Sequence, residues 1–325
     1  MPEPQRRQAH SATEPGTRSA DGTWIRTWDN GAPGLPLVVS NGLGAPPSAW
    51  PSLAEPDCGF HAVSWFHRGL GGSDRPSDPS HVTVADHVAD LEATMDAAGV
   101  GRAILVGWSI GVNVAFEFAR AHPERVAAIL AVGGTPGGAF RVLFGPSGLA
   151  PELREPAGLI GAWMLRLVGP PVAGLASLLP RALDAADRLG LGDHTRDVPG
   201  LSSLGDVTRV FAGHPWTYYS RLVLASAEHR AMDTSFVDFP VTVVAGVLDT
   251  LAATDDLRTM AAGIPGARFR QLNGGHFLPL QFPDRLHDEL DALADRTDLA
   301  DRDGTAQDPA PVRRIPAWPG AFATR

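Results

Sequence analysis

"LVGWSIGVNVAFEFA" (Leu105–Ala119) is two structural elements pressed together. An apolar run reaches Gly107, a helical pattern starts after Ser109, and glycines stand two residues on either side of that serine. Such spacing predicts a sharp strand-to-helix turn, whose apex is crowded at the positions two before and two after it. Side chains there must be small, and the apex residue is held in strained backbone geometry with its hydroxyl clear of the sheet edge. A hydroxyl so placed can attack a carbonyl, with the amide of Ile110 aimed at the developing oxyanion. The plainer reading is a glycine-rich turn whose serine caps the next helix, so the context of the motif has to decide.

That context is strand–helix alternation. Short apolar runs occur at Leu37–Ser40, Phe60–Phe66, Ala103–Val106, Ala127–Val132, Val241–Ala245 and Ala267–Leu272. Several are continuously apolar, as expected of strands covered on both sheet faces. In "HVTVADHVADLEATMDAAGV", Val84, Val88, Leu91 and Met95 share a helix face and Gly99 ends it. The alternation predicts an α/β domain with a mainly parallel sheet. It breaks after "AILAVGGTPGG", where about a hundred residues precede "PVTVVAG". A gap of that size is too long for a loop and predicts an inserted subdomain at about residues 136–236, helical in "AGLIGAWMLRLV" and "RALDAADRLGLGD". Gly158–Pro180 is apolar and near membrane-spanning length. It carries Arg166, and Pro170–Pro171 are expected to break its helix, which favours an insert core over a span and leaves shallow lipid contact open. Residues 1–21 and 296–325 lack periodicity and are expected to be disordered tails around a domain at 22–295.

Composition removes several function classes. The chain of 325 residues has 27 basic residues, all arginine, and a net charge of −9. Without lysine there is no Schiff-base chemistry, pyridoxal-phosphate anchor or Walker lysine, and the negative charge argues against nucleic acid. Cys58 is the single cysteine, so no internal disulfide or cysteine zinc cluster forms; it reads as a buried or loop thiol. The first residues hold no apolar signal core, so the expected location is cytoplasmic.

A serine needs a base, and the base needs an acceptor that fixes its tautomer. Among 11 histidines, His122 ends a helix, His87 lies within one and His10 sits in the tail. His276, in "LNGGHFLPLQFPDRL", follows a strand on a loop free to reach over the sheet edge. Asp249, in "VTVVAGVLDTLAATDDL", also follows a strand, whereas Asp255 and Asp256 read better as first-turn charges of the next helix. The order Ser109, Asp249, His276 follows. A second oxyanion donor is expected in "NGLGAPPSAW", where Gly42 and Gly44 permit close approach and the Leu43 amide is the candidate; a plain tight turn is the alternative there. Gly42, Trp108, Trp163 and Trp216 are candidate pocket walls, with Tyr218 and Tyr219 in the insert, although Trp163, Trp216, Tyr218 and Tyr219 each read equally as insert core.

These pieces, with "FHRGLGGSDRP", resemble the capped α/β-hydrolase superfamily over roughly residues 22–295, in its serine esterase, lactonase and haloperoxidase-like branch. The resemblance implies an α/β-hydrolase fold with a helical cap inserted before the penultimate strand. It makes Ser109 the nucleophile, Asp249 the acid, His276 the base, and Leu43 and Ile110 the oxyanion-hole positions. It implies cleavage of an ester, lactone or thioester of a small-to-medium hydrophobic substrate, with no metal and no organic cofactor. Carbon–carbon hydrolysis, perhydrolase or haloperoxidase-type activity, and a non-catalytic receptor role are the alternatives; oligomeric state is left open. Two positions depart from the family pattern: Asn41-Gly42 stands where His-Gly is frequent, and Phe66 replaces an aspartate two residues before Arg68. A serine apex also argues against haloalkane dehalogenases and epoxide hydrolases, which carry an aspartate nucleophile.

Overall fold

The continuous apolar runs become the parallel centre of one sheet. The computed structural model describes residues 14–144, 149–176, 210–211 and 213–299. Among them the sheet has eight strands: β1 (Gly16–Arg18), β2 (Trp24–Asp29), β3 (Leu35–Ser40), β4 (Phe60–Trp65), β5 (Ala103–Trp108), β6 (Val126–Val132), β7 (Val241–Gly246) and β8 (Arg268–Leu272). Their spatial order is β1-β2-β4-β3-β5-β6-β7-β8. The β1–β2 and β2–β4 pairs are antiparallel and the rest parallel. The chain moves outward from β3 to β4, then crosses back over β3 to β5. A crevice therefore opens at the carboxyl ends of β3 and β5, the switch point where open α/β sheets place ligands.

Both ends of the domain extend further than the sequence pattern indicates. Gly16–Arg18 pairs with Trp24–Arg26, Ser19 is buried, and Asp21 reaches Arg68, so residues 14–21 are part of the fold. A three-residue polar edge strand has too short a period to be read in advance. At the other end Arg296 donates to the Val241 and Gly266 carbonyls, Asp298 pairs with Arg102, and Leu299 is buried. The remaining parts of the two expected tails, 1–13 and 300–325, lie outside the described residues.

Helices cover both faces: α1 (Val84–Ala97), α2 (Ile110–Ala121), α3 (Pro151–Ala176), α4 (Trp216–Ala227), α5 (Thr254–Ala262), α6 (Leu278–Gln281) and α7 (Pro283–Ala294). α1 starts at a capping box in which Thr83 and Asp86 satisfy each other's backbone amides. Along β5 the pleat divides a uniformly apolar run between two cores. Leu105 joins Val63, Leu91, Met95, Val112 and Phe116 on one face, while Ile104, Val106 and Trp108 join Leu130, Leu286 and Leu290 on the other.

α3 and α4 belong to the insert between β6 and β7. α3 is one helix through Pro170–Pro171, contrary to the expected break. Proline's fixed φ is itself helical, so the ring permits continuation while removing two N–H donors. No helix among the described residues is long and apolar enough to cross a membrane. The expected helix in "RALDAADRLGLGD" lies outside the described residues.

Candidate active site

Ser109 is the single residue between β5 and α2, with φ 57° and ψ −123°. A non-glycine side chain at positive φ is rare and costs on the order of 1–3 kcal/mol. The glycines around it supply space rather than flexibility, since neither Gly107 nor Gly111 has a positive φ. A Cβ on Gly107 would lie 2.6 Å from the Val112 Cα, and one on Gly111 would overlap the Ser40 carbonyl oxygen. The turn brings α2 against β5 and β3 so closely that no side chain fits between them.

The structure brings Ser109, His276 and Asp249 into one hydrogen-bonded chain, each from a loop at the carboxyl end of a strand. His276 Nε2 is 2.9 Å from Ser109 Oγ, and His276 Nδ1 is 2.9 and 3.1 Å from the Asp249 oxygens. The Asp249 side chain is 0% exposed and that of His276 11%. The Leu251 and Ala252 amides donate to Asp249 Oδ1 at 2.8 and 2.9 Å, which fixes the carboxylate in its loop. With Nδ1–H directed at that carboxylate, Nε2 is the lone-pair nitrogen facing the hydroxyl. Asp255 and Asp256 fall in the first turn of α5, and Asp256 pairs with Arg154 of α3.

The Asn41–Gly44 loop after β3 closes on the same point. A Cβ on Gly42 would lie 3.3 Å from the Trp108 ring and 3.5 Å from Ser109 Cβ. Asn41 is buried behind it, donating to Ser64 Oγ and accepting from Trp50 Nε1 at 2.8 Å. Ile110 opens α2, so its amide has no carbonyl one turn earlier within the helix. The "HRGLGG" loop is tied down by Arg68, whose guanidinium meets Asp90 at 2.5 Å, Asp21 at 2.9 Å and the His81 carbonyl at 2.7 Å. Burial alone would lower the Arg68 pKa, but Asp90, with Asp21 and Asp86, raises it above the usual value. Asp90 is likewise opposed by burial, yet hydrogen bonds from His87 and Arg68 hold its carboxyl below the usual range.

Three expected pocket positions behave differently from one another. Trp108 is 1% exposed and its indole donates to the His276 carbonyl at 3.0 Å. It fixes the histidine loop from beneath, because side chains on β5 alternate and position 108 falls on the buried face. Trp163 is 54% exposed on α3, which puts it at the surface. Trp216 is half-buried at the start of α4 with its ring on Tyr219.

Residues the sequence did not single out complete the site. A Cβ on Gly133 would lie 3.3 Å from Asp249 Oδ2 and 3.6 Å from His276 Nδ1, and one on Gly134 would overlap the Ser109 carbonyl. The "GG" after β6 is thus the cradle of the three-residue chain, and its signal was the glycine pair at a strand end. Phe277 packs on Trp108 and His276 and continues through Phe211 to His214 and Tyr219 of the insert. Cys58 is buried beside Asn30 and the Phe60 carbonyl, away from this site. Among the described residues Asp21, His81 and Asp86 are grouped closely enough for a metal, but the Arg68 cation already sits in that group.

Comparison with known proteins gives the family of the fold. A sequence model of the alpha/beta hydrolase fold family matches residues 35–283. "Putative carbamate hydrolase RutD" of Klebsiella pneumoniae is 30% identical over 251 residues, 75% of this chain and 85% of that protein. "Epoxide hydrolase A" of Mycobacterium tuberculosis is 33% identical over 117 residues, 34% of this chain and 36% of that protein, so the chain aligns with about a third of that relative's length. A thermophilic esterase from Thermogutta terrifontis superposes with a TM-score of 0.65 at 21% identity, over 87% of this chain and 98% of the other.

Proposed function

The chain belongs to the alpha/beta hydrolase fold family, and from that premise we propose that it is a serine hydrolase acting on an ester-like carbonyl of a small-to-medium hydrophobic substrate. The observation that carries this is the chain of two 2.9 Å contacts from Ser109 Oγ through His276 to Asp249. Ser109 Oγ attacks the carbonyl carbon as its proton passes to His276 Nε2, while Asp249 holds Nδ1–H and stabilises the imidazolium. The amides of Leu43 and Ile110 stabilise the oxyanion. Collapse expels the alcohol, which takes the proton from Nε2, and leaves an acyl-serine. Water then gives a proton to Nε2 as it attacks the acyl carbon; the bond to Ser109 Oγ breaks, Oγ takes the proton back from Nε2, and the acid is released.

The apex serine also bears on the epoxide hydrolase similarity. A carboxylate opening an epoxide leaves an ester that water can cleave, whereas a serine would leave an inert ether. Carbamates fit the same acyl chemistry, and the similarity to the Klebsiella protein over most of its length favours including them. The hydrophobic preference is supported by a run of aromatic rings that leads from Phe277, against His276, through Phe211 and Tyr219 to Trp216, and by Leu248 and Leu251, exposed on either side of Asp249. In this reading the insert is a cap over the acyl site.

Labelling with a fluorophosphonate tests the assignment. Wild type is expected to label, to turn over p-nitrophenyl esters repeatedly, and to lose both properties in Ser109→Ala. An unlabelled wild type, or equal labelling of the variant, refutes it. Repeating the assay across acyl lengths and with p-nitrophenyl carbamates reads the substrate class.

A further inference from the structure

The donor loop has a mechanical problem that its own residues solve only in part. Gly42 and Gly44 are required by space: a Cβ at 42 is tight against Trp108, and one at 44 would overlap His214 Nε2 and lie 2.9 Å from the Tyr219 ring. Gly44 also has φ +74°. Glycines on both sides leave the peptide planes around Leu43 free to rotate. An oxyanion donor, by contrast, acts through being held in place before the reaction.

One plane is held from within the loop and the two that follow it from outside. The Gly42 carbonyl accepts from the Ala45 amide at 2.9 Å, closing a turn. The Leu43 carbonyl and Gly44 N–H are two ends of one peptide unit. The Tyr219 hydroxyl donates to the former at 3.1 Å, and the latter donates to His67 Nδ1 at a longer 3.4 Å. The next unit is held by His214 Nε2, which donates to the Gly44 carbonyl at 3.0 Å. Tyr219 and His214 are stacked at 11° with 5.2 Å between centroids, so the two donors come as one rigid pair.

The protonation states suit these roles. His67 must keep Nδ1 unprotonated to accept, and burial, with the neighbouring His87, brings its pKa down to about 3 despite Asp90 nearby. Burial raises the Tyr219 pKa, so the phenol remains a donor. Burial likewise lowers the His214 pKa, against the hydrogen bond to Gly44, and its Nε2 faces the Gly44 carbonyl as the donor.

We infer that Tyr219, His214 and His67 are positioning residues that clamp the two peptide units after Leu43 and, through the Ala45–Gly42 turn, keep the Leu43 amide in the orientation an oxyanion requires. The clamp has two sources: His67 comes from the loop after β4, whereas Tyr219 and His214 come from the insert. Docking of the insert therefore completes the donor, in addition to covering the site. This inference rests on the serine-hydrolase reading above.

Tyr219→Phe removes one hydroxyl and keeps the stacked ring. With p-nitrophenyl butyrate, kcat should fall about 10-fold at nearly constant KM, less than the 10²–10³ lost when a donor is deleted outright. Affinity for an alkyl trifluoromethyl ketone, which forms an oxyanion on Ser109, should fall by the same factor. Affinity for the matching methyl ketone should not change. His214→Phe should behave alike, and His214→Gln, which returns an N–H donor, should recover most of the loss. Thermal melts within a few degrees of wild type certify that the variants are folded. Wild-type affinity for the trifluoromethyl ketone in folded Tyr219→Phe and His214→Phe overturns the clamp, as does an equal loss for both ketones. A wild type that neither hydrolyses the ester nor binds the trifluoromethyl ketone instead overturns the serine-hydrolase reading, and the clamp with it.

Discussion

Replacing Ser109 by glycine should stabilise the protein more than replacing it by alanine, and the comparison isolates the strain in the elbow. Both substitutions delete the hydroxyl and its contact with His276, so that loss cancels. What differs is the backbone at φ 57° and ψ −123°. Alanine must occupy it with a Cβ, at about 1–3 kcal/mol, and glycine occupies it nearly free of strain. Against this, glycine adds about 0.4–1 kcal/mol of entropy to the unfolded chain. The balance favours Ser109→Gly by about 1 kcal/mol, or roughly 2–4 °C in Tm for a domain near this size. Ser220, buried in α4, supplies the opposite case. There glycine should be less stable than alanine by about 1 kcal/mol, because a helix interior penalises it. Urea midpoints and melting curves of the four variants make the measurement. Ser109→Gly equal to or below Ser109→Ala would refute the claim that the apex stores strain.

Gly111→Ala would put a Cβ into the Ser40 carbonyl oxygen and 2.6 Å from its carbon, so α2 or the end of β3 must move by well over about 0.8 Å to restore ordinary contact. Displacement on this scale costs on the order of 10²-fold in kcat, whereas Gly101→Ala, with nothing within 4 Å, should match wild type in the same ester assay. Asp249→Asn keeps an oxygen for the Leu251 and Ala252 amides but turns an N–H toward His276. The ring then takes the wrong tautomer and presents a proton to Ser109, so kcat should drop about 10⁴-fold without loss of folding, as read by single-turnover kinetics and melting. His67 binds a proton more readily unfolded than folded, so its stability contribution is complete above pH 6.5 and is lost as pH falls from 6.5 toward 3. Between pH 6.5 and 5 the loss is on the order of 2 kcal/mol. His67→Asn should flatten that part of the urea-midpoint profile, and an unchanged slope would count against a buried neutral imidazole.

The parts of the site legible in the sequence are those where a local backbone requirement leaves a residue type behind. Gly107 and Gly111 are forced by contacts within the strand-turn-helix unit itself, so their spacing survives as a pattern. Ser109 and Asp249 each follow a strand buried on both faces, which announces itself as an apolar run, whereas His276 follows an edge strand with three exposed polar residues and is marked instead by the glycine pair before it. β1 and β2 carry no such run because they form an antiparallel edge, and they went unread. Trp108 was misplaced for a related reason. A continuous apolar run hides which face each residue takes, and only the pairing of β5 with β3 and β6 sets position 108 beneath His276.

What the sequence conceals is the way backbone polar groups around the chemistry are held. Gly133 and Gly134 matter through the atoms they leave room for, on Asp249, His276 and Ser109, which lie far off in the chain. The Leu43–Gly44 peptide is gripped by His67, 23 residues beyond Gly44, and by Tyr219, 176 residues beyond Leu43. Neither grip has a local spacing to betray it. The hydrogen bonds of a glycine-rich loop must nevertheless go somewhere, because buried backbone groups are seldom left unpaired. Tracing those of Asn41–Gly44 leads to Ser64 and Trp50 behind the loop, His67 beside it, and His214 and Tyr219 above it. The insert thus reaches the candidate site through main-chain carbonyls, contacts that no pattern of acids, bases and nucleophiles reveals.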